Sequence, residues 1–180
     1  MRAIVLLLAL LGTLPVTADP LALAGQPGTV LLMRHATAPG TGDPAGMRLG
    51  DCTTQRTLSY AGRQEARAIG ARLAQAGLVF DQILASEWCR TTETAILMDL
   101  GPVTPFPQAN SFFSNRAKAG GQTADVLNHL ASLPPEARVL IVTHQVNITA
   151  LTGIVPRSGE IIVTRRDGDG LTVLDRLPPG

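Results

Sequence analysis

The sequence predicts an α/β domain built on a mostly parallel central sheet. From about residue 25 onward, short apolar runs alternate with segments whose apolar residues recur at helical spacing, the pattern of buried strands separated by amphipathic helices. The apolar runs are continuous rather than alternating with polar residues, as strands covered on both faces require. With 180 residues, no repeat and no interdomain linker, the chain holds one core and is short for two.

The elements follow in order. Met1-Arg2 supplies a positive start, Ala3 to Leu14 is almost entirely apolar, and Pro15 precedes the small-residue patterns Val16-Thr17-Ala18 and Ala22-Leu23-Ala24. This is the layout of a secretory signal peptide, too short for a comfortable membrane span. Residues 1–24 are therefore expected to be a leader, cleaved after Ala18 or Ala24, and residues 25–180 the folded domain of an exported, periplasmic or secreted protein. Thr29 to Met33 suits a central strand, and the Gly/Pro-rich stretch from Ala36 to Thr57 is long enough for a functional loop. Ser59 can cap a helix whose buried face carries Ala66, Ile69, Leu73 and Ala76 and which Gly77 can end. A strand over Gln82–Ala85 stops at Ser86, and a helix over Arg90–Leu100 closes at Gly101-Pro102. Val103 to Gly121 reads as loop, with the apolar pair Phe112-Phe113 inside it. Thr123 to Leu133 is a further helix, stopped by Pro134-Pro135. Arg138 to Thr143 is a third buried strand, and Glu160–Arg165 and Leu171–Asp175 flank Asp167-Gly168-Asp169-Gly170 as a hairpin.

Composition narrows the function. Fifteen basic and 14 acidic side chains leave a net charge of +1, which gives no electrostatic basis for binding nucleic acid or for stable attachment to a membrane after leader removal. Anion binding must come from a few placed side chains. Three strands deliver such groups at the same end: the first leads into Arg34-His35, the second into Arg90 four residues after Ser86, and the third into His144. The carboxyl ends of parallel strands form the ligand crevice of α/β sheets, so these residues meet although they lie far apart in sequence. Two guanidinium forks and two imidazoles make a poor core and a good receptor for a small phosphorylated substrate.

Leu32-Met33-Arg34-His35-Ala36-Thr37-Ala38-Pro39 resembles the signature of the histidine phosphatase superfamily, the group of the phosphoglycerate mutases and acid phosphatases. Ser86-Glu87-Trp88-Cys89-Arg90-Thr91 resembles the family's S-x-x-x-R turn, and Thr143-His144 its second histidine. Leu58-Ser59 with Gly62, Gln64 and Ala66 is similar to the opening of the family's first helix, and Arg90 to Ala95 to its R-A-x-x-T-A stretch. The likeness covers most of the chain after Thr29. It implies a three-layer α/β/α sandwich of the phosphoglycerate mutase type and a phosphoric monoester hydrolase with no cofactor and no metal. By the same resemblance His35 is the nucleophile that becomes a phosphohistidine, fixed by a ring N–H to a backbone carbonyl. Arg34, Arg90 and His144 bind the phosphoryl oxygens and stabilise the transition state.

The sequence departs from that pattern in places. Ala36 stands where the family has glycine, and Gln145, with Asn147 close by, replaces the residues after the second histidine. These amides either touch substrate or cap a following helix. No carboxylate lies between Gly101 and Ala124, where the mutase-like branch carries its general acid, and the other branch's aspartate is here Gln145. The remaining candidates for that acid are Asp43 and Asp51 in the long first loop, Glu87 beside Arg90, and Glu160. In the first loop Arg56 can add a third guanidinium to the substrate site. Cys52 and Cys89 are the only cysteines, and export favours a disulfide between them, which would tie this loop beside Arg90, over two free core thiols or a metal pair. Two other classes stand beside the phosphatase: a phosphate-binding module that has lost turnover for want of the acid, and a metal protein using His35, His144 and a cysteine.

Overall fold

The computed structural model describes residues 19–179. The leader expected up to Ala18 lies outside the described residues. Asp19 caps α1 (Pro20–Ala24), whose Leu21, Leu23 and Ala24 pack into the core. The remaining elements are β1 (Thr29–Arg34), α2 (Tyr60–Gln75), β2 (Gln82–Ala85), α3 (Cys89–Met98), β3 (Val103–Pro105), α4 (Ala119–Ala131), β4 (Val139–Thr143), α5 (Gln145–Thr152), β5 (Ile161–Asp167) and β6 (Gly170–Leu177).

The six strands form one sheet in the order β3-β2-β4-β1-β5-β6. β3, β2, β4 and β1 run parallel; β5 is antiparallel to β1, and β6 to β5. Side chains of β1 and β4 alternate faithfully between two cores. Leu31, Met33, Leu140 and Val142 meet Ile69 and Leu73 of α2 and Ala95 and Met98 of α3 on one side. Val30, Leu32, Val139 and Ile141 meet Val126 and Leu130 of α4 and Ile148 of α5 on the other. This is the expected three-layer sandwich, and the continuous apolar runs are strands buried on both faces.

The structure differs locally from the sequence reading in several places, among them α1, which lies inside the stretch read as leader and packs on the core. The stretch read as loop from Val103 contains a three-residue edge strand, which Pro105 confines to the sheet border. α4 starts at Ala119 rather than Thr123, running through Gly120-Gly121, two residues that argue for loop by propensity. α3 begins one residue earlier than expected, at Cys89, the residue bonded to Cys52, and ends at Met98 rather than Leu100. Among the described residues no helix is long and apolar enough to cross a membrane.

Candidate active site

β1 ends in Arg34, and His35 follows with its backbone N–H on the Thr143 carbonyl at 3.0 Å, still in register with β4. The loop after it is held by α2. Ser59 caps that helix by accepting from Gly62 N, Glu65 accepts the Thr37 N–H at 2.7 Å, and a Cβ on Gly62 would overlap the Thr37 carbonyl. Only glycine lets the helix approach the segment that leaves the first strand.

A cleft of about 110 Å³ opens at the carboxyl ends of β1, β2 and β4, lined among others by Arg34, His35, Asp43, Arg56, Arg90 and His144. His35 is 4% exposed, Arg90 3% and His144 4%. Nδ1 of His35 lies 2.8 Å from the Ala36 carbonyl, and Arg90 donates its Nε–H to Nε2 at 3.3 Å. The partners settle the tautomer: Nδ1 carries the proton and Nε2 the lone pair. Burial, then the nearby Arg90, Arg34 and Arg56 charges, hold the ring's pKa down at about 3, against the bonus of the Ala36 hydrogen bond, so Nε2 is unprotonated at neutral pH and accepts from Arg90. Thr94 steadies the arrangement, accepting the Ala36 N–H at 3.1 Å and donating to the Arg90 carbonyl at 2.6 Å.

Arg90 is the hub. Besides His35, its Nη2 donates to Nδ1 of His144 at 3.4 Å and its Nη1 to Asp43 at 2.7 Å. His144 therefore carries its proton on Nε2, which donates to the Ser86 hydroxyl at 2.8 Å. The Ser86 hydroxyl in turn donates to Asn110 Oδ1 at 3.1 Å, and the Asn110 amide donates to Glu87 at 2.7 Å. Burial first, and then Arg90, push His144 well below the usual imidazole range. Arg34 anchors Nη1 on the Pro156 carbonyl at 3.0 Å and keeps its buried Nε without a partner.

The structure sorts the other expected residues. Arg56 lines the cleft, but its Nε and Nη1 donate to the carbonyls of Gly42, Ala38, Pro39 and Gly40, so it pins the loop as well as charging the site. Gln145 lines the cleft, whereas Asn147 donates to the Asn110 carbonyl. Asp51 and Glu87 do not line it. Asp51 caps a 3₁₀ turn over Cys52–Thr54, and its bonds from Thr53 and Arg48 hold its carboxyl below the usual range. Glu87 ends the Ser86–Asn110 chain. Glu160 is buried against Arg176 and the Arg157 N–H. Asp43 is the single carboxylate among the cleft-lining residues. Of the two phenylalanines, Phe112 is buried and Phe113 is at the cleft.

Cys52 and Cys89 are bonded to one another, tying the first loop to the start of α3, and Gln55 accepts the Cys89 N–H at 3.0 Å. No cysteine is left to ligate a metal, and no cluster of three or more His, Cys, Asp or Glu exists among the described residues. Sequence reasoning missed Asn110 and Thr94 as parts of the site. Thr94 sat inside the quoted R-A-x-x-T-A likeness; Asn110 had no signal beyond its loop position.

No protein-family model matches this sequence, and no curated protein matches it. Solved structures do match in fold. The protein histidine phosphatase SixA, complexed with tungstate, superposes with a TM-score of 0.60 at 18% identity over 84% of this chain and 97% of that one. A protein of Escherichia coli described as an alpha-ribazole-5′-P phosphatase gives 0.62 at 18% identity, over 81% and 94%. The phosphoserine phosphatase of Entamoeba histolytica in complex with 3-phosphoglyceric acid gives 0.60 at 12%, over 82% and 95%. The fold is that of the histidine phosphatases, the phosphoglycerate mutase type.

Proposed function

We propose that this chain is an exported histidine phosphatase that hydrolyses small phosphorylated substrates through a phosphohistidine on His35. The observation that carries the reading is His35 itself: a neutral ring with Nδ1–H committed to Ala36 and an Nε2 lone pair facing a cleft of arginines. In the first step Nε2 attacks phosphorus and the bond to the leaving oxygen breaks. Arg34 and Arg90 supply the hydrogen bonds for the equatorial oxygens, with charge already in place where it develops, while His144, whose ring N–H is committed to Ser86, accepts from Arg90 and orients that guanidinium. The free Arg56 Nη2 adds a cation at the mouth. Water then attacks phosphorus, the P–N bond breaks, and phosphate and the neutral ring are restored.

The test is p-nitrophenyl phosphate hydrolysis by the wild type and His35→Ala. Turnover abolished by the substitution, with phosphoryl label on acid-labile histidine in the wild type, supports the enzyme. Wild-type protein that binds tungstate without turnover points instead to a phosphate-binding module. Export is supported by the leader pattern and by the Cys52–Cys89 bridge, which persists in oxidising compartments. Core packing of residues 21, 23 and 24 favours cleavage after Ala18 over Ala24.

A further inference from the structure

We infer that Asp43 is the general acid and base of this site, and that the substrates are phosphate monoesters whose leaving groups are basic alcohols. The inference rests on the histidine phosphatase reading above and adds the proton path that reading lacks.

Three observations carry it. Asp43 is the only carboxylate among the residues lining the cleft; Asp51, Glu87 and Glu160, the other acids near the site, are each engaged elsewhere. It sits on the same guanidinium as the nucleophile: Arg90 reaches His35 through Nε and Asp43 through Nη1, so the carboxylate lies one guanidinium away from the attacking nitrogen. Its loop is built rather than loose. Arg56 binds the carbonyls of residues 38, 39, 40 and 42, the four that lead up to Asp43 with only Thr41 omitted. A surface aspartate needs no such support; a proton donor that must meet one oxygen of a bound substrate does.

The chemistry balances. In the free protein Asp43 and Arg90 form an ion pair of which the aspartate side chain is 16% exposed. An incoming phosphate ester takes up Arg90 for its own oxygens and, entering as the monoanion, hands its remaining phosphoryl proton to the Asp43 carboxylate, so that the dianionic phosphoryl group lies beside Asp43–H. As Nε2 of His35 bonds to phosphorus and the P–O bond breaks, the Asp43 proton passes to the leaving oxygen, releasing a neutral alcohol. In the second step Asp43 takes a proton from the attacking water, phosphate forms, the P–N electrons return to Nε2, and Asp43 is again an acid for product exchange. Such a donor adds little for an acidic phenol, which leaves readily as its anion. It matters for an alkoxide, and that assigns the substrate class.

The experiment is a leaving-group series of aryl phosphates, from p-nitrophenyl through phenyl to p-methoxyphenyl, measured as kcat/KM for the wild type, Asp43→Asn, Asp43→Glu and His35→Ala. kcat/KM reports only formation of the phosphoenzyme, so loss of the base in the second step does not confuse it. The wild type is expected to be nearly insensitive to leaving-group basicity. Asp43→Asn is expected to lose roughly 10²–10³-fold on the most basic phenol and several-fold on p-nitrophenol, with Asp43→Glu recovering part of the difference. A wild type already steeply dependent on the leaving group overturns the assignment, as does an equal loss by Asp43→Asn across the series, the mark of a purely positioning role. His35→Ala separates the two ideas: its retention of activity defeats the phosphohistidine reading, whatever Asp43 does.

Discussion

At the scale of single residues, the two imidazoles are held neutral inside a cationic pocket, and this has a thermodynamic consequence. Burial and then the arginines depress His35 to about 3, and His144 moves in the same direction for the same first cause. An unfolded histidine titrates near 6.5. Between those values the unfolded chain binds protons that the native protein refuses, so stability rises with pH across the window. The stabilisation is therefore complete above about pH 6.5 and is lost as pH falls toward about 3. For His35 alone the loss by pH 4.5 amounts to roughly 2–3 kcal/mol. Urea midpoints at pH 7 and pH 4.5 should show this fall. His35→Asn should flatten it, since asparagine has nothing to protonate; an unchanged slope in that variant would mean that the acid lability arises elsewhere.

At the scale of elements, the site depends on how one long loop is fastened. That loop carries Asp43 and Arg56, and its outer end is bonded through Cys52 to Cys89, the first residue of α3 and the neighbour of Arg90. The bridge spans 37 positions of sequence. On chain entropy alone, removing such a link costs roughly 3–4 kcal/mol. The double variant Cys52→Ser/Cys89→Ser should thus unfold at markedly lower urea. Its kcat/KM should fall, with kcat falling as well as KM rising, because the loop's carboxylate and cation lose their fixed place while His35 keeps its own support from Ala36 and Thr94. Equal stability with and without reductant would count against the bridge as a fastening. The strands that deliver Arg34-His35 and His144 were legible because their apolar runs are continuous and their polar residues stand at the ends. β3 was not: three residues ending in Pro105 carry too little pattern. Nor was the early start of α4, where packing of Val126 and Leu130 on the sheet outweighs the poor propensity of Gly120-Gly121. The link from Asn110 through Ser86 to His144 depends on how the stretch after β3 folds back, which no local signal specifies.

At the scale of the whole molecule, chemistry and closure sit at opposite ends of the sheet. The carboxyl ends of β1, β2 and β4 hold the cleft, while α1 packs near their other ends against β1, β5 and β6. The sequence reading treated Ala18 and Ala24 as equal cleavage points because both follow small-residue patterns. Packing separates them. Ala24 is fully buried, Leu21 and Leu23 pack against the same cluster, and the Ala24 carbonyl accepts the buried Thr29 hydroxyl at 2.9 Å. A chain beginning at Gly25 exposes that patch of core and leaves the hydroxyl only the Gln26 carbonyl. Burial of two leucines and an alanine, partly offset by the cost of ordering five residues, puts the loss at about 2–4 kcal/mol. A protein starting at Asp19 should therefore have a clearly higher urea midpoint than one starting at Gly25, and intact mass of the exported form should correspond to the Asp19 start. Because the lost patch is remote from the cleft, both forms should share the same kcat/KM on p-nitrophenyl phosphate under native conditions. Equal midpoints would show that α1 adds nothing to the fold and would return cleavage after Ala24 to equal standing; a mass beginning at Met1 would remove the leader altogether.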